Sequence, residues 1–153
     1  MRLIILLSLL VIATTVKEQD LQCRWYVDTL YDNGTITKDP EFPGGKEVLD
    51  SIVYTNFIIP DIALEVGVFG RIYVEFIIDT NGSMTDIKIL SNRVGWKCDE
   101  ELLRVIKLIA ATYKWQPGEH QNRMVSVRYR YSISIRAEDY DPVTGKNRKY
   151  NTN

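Results

Sequence analysis

Between Gly70 and Ser91 the chain reads GRIYVEFIIDTNGSMTDIKILS, two alternating runs on either side of Asn81-Gly82. Ile72, Val74, Phe76 and Ile78 fall on one face of the first run, with Tyr73, Glu75 and Ile77 on the other. In the second, Met84, Asp86, Lys88 and Leu90 share a face opposite Thr85, Ile87 and Ile89. Period-two alternation flanking a dipeptide that accepts positive φ predicts a β-hairpin. A lone hairpin is marginal in water, so other segments must cover its apolar face.

Candidates lie on both sides. Lys46 to Phe57 carries Val48-Leu49, Ile52-Val53 and Phe57 at helical spacing, which predicts an amphipathic helix ended by Pro60. A short helical turn is expected over Asp61–Gly67. Asp99 to Ala111 reads as a second helix, with Asp99 as N-cap and an apolar face of Leu102-Leu103, Val105-Ile106 and Ile109-Ala110. Met124 to Arg136 reads as one long strand. Val125, Val127, Tyr129, Tyr131, Ile133 and Ile135 share its core face, and Ser126, Arg128, Arg130, Ser132, Ser134 and Arg136 its outer face. The order helix, strand, strand, helix, strand predicts an α+β domain over residues 41–136.

The connecting segments are more irregular. Asp39–Gly45 (DPEFPGG) excludes regular structure; Phe42 is expected as an apolar plug, with Pro43 and Gly44-Gly45 shaping the path into the helix. Trp115-Gln116-Pro117-Gly118 separates the second helix from the last strand, and Trp115 is expected to bury against the sheet. Glu119 to Arg123 reads as a polar loop. The extension 16–40 contains an aromatic stretch, Arg24–Lys38, that suits a small hairpin around Asp32-Asn33-Gly34. Residues 137–153 read as a flexible polar tail.

The chain has 153 residues, with 19 basic against 20 acidic side chains, so no broad field points to nucleic acid. Met1-Arg2 precedes an apolar run, Leu3–Ala13, that suits a secretory signal peptide over residues 1–15 or a short membrane anchor. Export would place the protein in an oxidising compartment, where Cys23 and Cys98 are the candidate disulfide pair. No catalytic set emerges: His120 is the only histidine, and Cys98 has no second group to activate it. No cofactor motif or metal-ligand spacing is present either. The remaining route to function is a binding surface. An exposed edge on the final strand would accept an extended peptide, with Arg128, Arg130 and Arg136 facing the visitor. The same charges would equally keep that edge from aggregating.

These residues resemble a known family. Phe42-Pro43-Gly44-Gly45, Pro60, the run from Gly67 through Gly70 to Asp79, and Asn81-Gly82-Ser83 are similar to the TonB carboxy-terminal domain. So are Asp99-Glu100-Glu101, Arg104–Lys107, Trp115-Gln116-Pro117-Gly118 and Val125–Tyr129. The resemblance implies a periplasmic domain of two helices on a three-stranded antiparallel sheet, and no enzyme. It also implies a partner, the plug or box peptide of an outer-membrane TonB-dependent receptor, added as a strand beside Met124–Arg136. On this reading Val125, Val127, Arg128, Tyr129, Arg130, Tyr131, Ser132 and Ile133 form the docking strand. Inner-membrane proton-motive motor proteins would be the further partners. Two features differ from a full energy transducer. The apolar run is short, with Ser8 as its polar residue, and Val16–Pro40 carries one proline. Stretched at ~3.3–3.6 Å per residue, that segment reaches about 80–90 Å. The alternative is a structural module that dimerises through the same edge without a motor.

Overall fold

The computed structural model describes residues 30–151. In chain order the strands are β1 (Tyr31–Asp32), β2 (Phe69–Ile78), β3 (Met84–Asn92), β4 (Gly118–His120), β5 (Arg123–Val125) and β6 (Val127–Arg136). The helices are α1 (Gly45–Asn56), α2 (Asp61–Val66) and α3 (Cys98–Thr112), followed by a 3-10 turn at Ala137–Asp139. The main sheet has the order β1-β6-β2-β3, and β4-β5 pair separately. β2 is central and antiparallel to both β3 and β6. The α+β class and the three antiparallel strands are therefore as expected, with a short parallel strand, β1, added beside β6.

One apolar cluster joins sheet to helices. Ile72, Val74, Phe76 and Ile78 of β2 meet Tyr131, Ile133 and Ile135 of β6 in it, all buried. α1 adds Leu49 and Val53, and α3 adds Leu102, Val105, Ile106 and Ile109. Burying each large apolar side chain contributes about 1.5–3 kcal/mol, so this face is what makes the hairpin persist.

Several local expectations are corrected. The β2–β3 connection is five residues, Asp79 to Ser83, because Ile78 pairs with Met84. Asp79 Oδ1 organises it by accepting the N–H groups of Asn81 and Ser83, each at 2.8 Å. In β3 a register shift coincides with Asp86 at φ 48, a bulge that reverses the alternation. Met84 is buried before it, and Ile87 and Ile89, rather than Lys88 and Leu90, turn toward the core after it. Lys97, at φ 62, takes the N-cap position of α3, so Asp99 sits inside the first turn with Glu100 and Glu101. Their carboxylates still favour the helix N-terminus through its dipole.

The expected polar loop at 119–123 is a tight hairpin between β4 and β5. Gln121 and Asn122 both take left-handed φ (49 and 61), as a two-residue primed turn requires. Val125 belongs to this hairpin, opposite Gly118, so the long strand is interrupted at Ser126. No small hairpin forms within residues 31–38: Tyr31 and Asp32 pair with Val127 and Arg128, and Lys38 pairs with Glu119. The rest of the expected hairpin, residues 24–29, lies outside the described residues, as do the apolar run and Cys23.

The polar segment after Arg136 is not a free tail. Ala137 N–H bonds the Val68 carbonyl, and Tyr140, 1% exposed, packs on Phe57. Asp141 closes a turn by accepting from the N–H groups of Val143 and Thr144, and Ile59 N–H reaches the Gly145 carbonyl. Tyr140 is its buried aromatic anchor, and these backbone bonds hold the segment on either side of it.

The hairpin tip is held by backbone. Trp115 N–H donates to the Gly82 carbonyl at 2.9 Å, and Lys114 Nζ bonds Ser83 Oγ. Gly82 has φ +76, and a Cβ there would collide with the Trp115 carbonyl oxygen. Both conformation and space therefore demand glycine. Gly82→Ala should lower the unfolding free energy by about 2–4 kcal/mol, combining left-handed strain with overpacking. Urea unfolding followed by tryptophan fluorescence checks this; a loss under about half a kcal/mol, the usual size of a neutral surface change, would contradict the tip docking.

Candidate functional site

β6 has a free flank only in part. The N–H and C=O of one strand residue point the same way, and alternate residues point to opposite neighbours. Tyr31 N–H donates to the Ser126 carbonyl and Asn33 N–H to the Arg128 carbonyl, so the even-numbered residues of β6 point away from β2. At the far end the Tyr54 hydroxyl, from α1, donates to the Ser134 carbonyl at 3.1 Å and accepts from Ser134 N–H at 3.2 Å. Between these ends the main-chain groups of Arg130 and Ser132 face outward, with no partner among the described residues.

Side chains of the predicted docking strand divide by face. Val127, Tyr131 and Ile133 are buried in the core, and Tyr129 is half-buried against Trp115 and Phe76. Tyr131 Oη donates to Asp50 Oδ1 at 2.7 Å, and Lys46 Nζ holds Asp50 Oδ2 at 2.6 Å, tying α1 to β6. Burial, then the Asp50 carboxylate, drive the Tyr131 hydroxyl far above the ordinary tyrosine range, so it is a permanent donor. Ser132 is half-buried on the outer face, and Arg136 is exposed at the strand end.

The arginines are not an open row. Glu75, on the outer face of β2, is 5% exposed and lies opposite Arg130 in register. Its carboxylate takes Arg130 Nε at 3.0 Å, Lys88 Nζ at 3.0 Å and Arg128 Nε at 3.5 Å, while Arg128 Nη1 also reaches Asp32 at 3.2 Å. Burial pushes the Glu75 carboxyl upward, but hydrogen bonds from Lys88 and Arg130, with the nearby Arg128 charge, hold it below the usual carboxylate range. Sequence alone did not single out Glu75. Its signal was an acid on the solvent face of an apolar strand, which becomes informative only once β6 is placed beside β2. Tyr54 and Asp32 were missed for the same reason.

The family model of the Gram-negative bacterial TonB protein C-terminal matches residues 56–136. The chain belongs to the TonB C-terminal domain family. This is a transport-related, non-enzymatic domain family of the Gram-negative periplasm, whose members interact with outer-membrane TonB-dependent receptors. Two NMR solution structures of Helicobacter pylori TonB-CTD are similar. One is 21% identical, over 60% of this chain and 92% of that one, at TM-score 0.46. The other is 25% identical, over 61% and 86%, at TM-score 0.41. The Pseudomonas aeruginosa TonB CTD is 16% identical, over 70% and 93%, at TM-score 0.38. No curated protein sequence matches. Among the described residues no helix is long and apolar enough to cross a membrane.

Within this TonB C-terminal domain the remaining motif residues are structural. Phe42 is buried against Trp115 and Tyr113, and Glu41 and Gln116 exchange backbone bonds. Gly45 N–H closes a turn to the Phe42 carbonyl around Pro43-Gly44. The Pro60 carbonyl accepts from Ala63 and Leu64 to start α2. Gly70 pairs with Ile135, Asn81 and Gly82 make the hairpin tip, and Pro117 leads to Gly118, whose flank is filled by Val127 and Ile36. Cys98 is buried, and burial with the adjacent Asp99 and Glu101 pushes its thiol up to about 11. His120 is half-buried beside the Tyr31 ring, not on a surface loop.

Because the folded Glu75 carboxyl titrates below its unfolded counterpart, its contribution is fully present above the unfolded value of about 4.3 and is lost as pH falls through the folded value. Glu75→Gln should cost about 1–3 kcal/mol at pH 7, since the partnering cations are themselves partly solvated. The variant should also lose stability less steeply than wild type below about pH 4. Parallel acid-unfolding curves for the two proteins would contradict this account.

Proposed function

We propose that this chain is an exported, periplasmic TonB C-terminal domain that takes an extended peptide segment of an outer-membrane TonB-dependent receptor as an added strand on β6. The observation that carries the reading is the pair Arg130 and Ser132, whose main-chain donors and acceptors face outward on the flank of β6 between β1 and Tyr54. An edge with unsatisfied backbone groups recruits a strand, and pairing is the main source of affinity. The visitor would meet a positive outer face: Lys88, Arg128 and Arg130 pair with Glu75, Asp32 and Asp86, and Arg71 and Arg136 add two further cations. Excess cation at that face favours a peptide with acidic side chains. Leu3–Ala13 would serve export or anchoring, and Cys23 would be the oxidation partner of Cys98. Coupling to inner-membrane motor proteins belongs to the same reading.

The test is a titration of the ¹⁵N-labelled chain with acidic, β-branched receptor-type peptides. Amide shifts centred on Arg130 and Ser132 are expected. Absence of shifts at millimolar peptide, with a mass that doubles as protein concentration rises, would replace this reading with a dimer paired through the same edge.

A further inference from the structure

The docking edge is occupied at both ends by the chain itself. At one end β1 runs parallel to the start of β6 and consumes the Ser126 and Arg128 carbonyls, and the Asp32 carboxylate pins it to Arg128 at 3.2 Å. At the other end one hydroxyl, that of Tyr54, satisfies both the N–H and the C=O of Ser134. That hydroxyl does what a neighbouring strand would do. Its ring is fixed in turn by the returning C-terminal segment: Tyr150 stacks on Tyr54 at 4.9 Å and 9°, and Thr55 Oγ1 donates to the Tyr150 carbonyl. The two stops come from different parts of the sequence and close opposite ends of one flank.

We infer that β1 and the Tyr54–Tyr150 stack clamp the docking edge, confining an added strand to the register of Arg130 and Ser132 and competing with any longer visitor. The inference rests on the strand-addition reading. Its physical content is competition for identical groups. A peptide that pairs beyond Arg130 toward the strand start must strip Asn33 from the Arg128 carbonyl, and one that extends the other way must strip Tyr54 from Ser134. Each exchange replaces an existing hydrogen bond by a new one and gains nothing net, whereas pairing at Arg130 and Ser132 replaces only water. The clamp therefore selects a short register over a long one. It also makes affinity depend on α1 and on the N-terminal strand, which bound the visitor's register without pairing with it.

Wild type, Tyr54→Phe and Asn33→Pro are titrated as full ¹⁵N-labelled chains. The probe is a capped hexapeptide of one glutamate followed by alternating threonine and valine. Tyr54→Phe keeps the stacked ring and deletes the hydroxyl; Asn33→Pro deletes one backbone donor. In wild type the shifts should centre on Arg130 and Ser132 and stop before Arg128 and Ser134. In Tyr54→Phe they should extend to Ser134, and in Asn33→Pro to Arg128, each with about 2- to 10-fold tighter binding. Variants that bind no tighter than a wild type that does bind overturn the clamp and leave strand addition standing. Binding by none of the three overturns strand addition at this edge, and the clamp with it. Amide exchange without peptide shows whether each variant is folded, through protection of Ile72–Ile78. If Asn33→Pro loses that protection, Tyr54→Phe alone decides.

Discussion

The backbone contact between the hairpin tip and Trp115 is what the rest of the domain depends on. It joins two segments far apart in sequence: the turn that sets the β2–β3 register, and the linker that returns the chain from α3 toward β6. Around it Phe42, Phe76, Tyr113, Trp115 and Tyr129 form an aromatic cluster with ring centroids 5.1–5.7 Å apart. Such contacts add to area burial because tilted and edge-on pairs align ring edges with ring faces. The cluster fixes where α1 begins, through Phe42, and where β6 begins, through Tyr129. The position of the open flank of β6 therefore derives from a tip contact at the β2–β3 turn.

The outer face obeys a different rule. It is polar, yet it is not simply solvated. Glu75 is nearly inaccessible because Arg130 and Lys88 lie over it from the strands on either side. A carboxylate in the middle of the sheet with cations on both flanks favours this one register, since a slip by one residue would move Glu75 to the apolar face. The arginines read from sequence as facing a visitor or guarding the edge are thus engaged by the fold itself, and are not bare guanidinium groups.

Legibility in the sequence tracked range. Period-two and helical spacing located β2, α1, α3 and the core face of β6, because these patterns are local and the burial they report is strong. The resemblance in ordered motif pieces reached the family. What escaped depended on single backbone conformations or on distant pairing. The bulge at Asp86 reversed the faces of β3 through one left-handed residue, and Gln121-Asn122 made a tight turn without the glycine that usually announces one. β1 could not be foreseen because its partner lies almost a hundred residues away, and two residues carry no periodicity. Tyr54 read as another residue of an amphipathic helix; only the placement of that helix beside Ser134 gives its hydroxyl a task.

The returning segment from Ala137 to Tyr150 also separates two kinds of boundary. The family match ends at Arg136, where the last shared strand ends. The packed structure does not end there. Cutting the chain at the family limit would uncover Phe57, strip Ile59 N–H of its acceptor at Gly145 and leave Tyr54 without its stacking partner. A fragment trimmed to the shared domain would thus expose an apolar floor beneath the open flank of β6, and would be more prone to self-association than the longer chain.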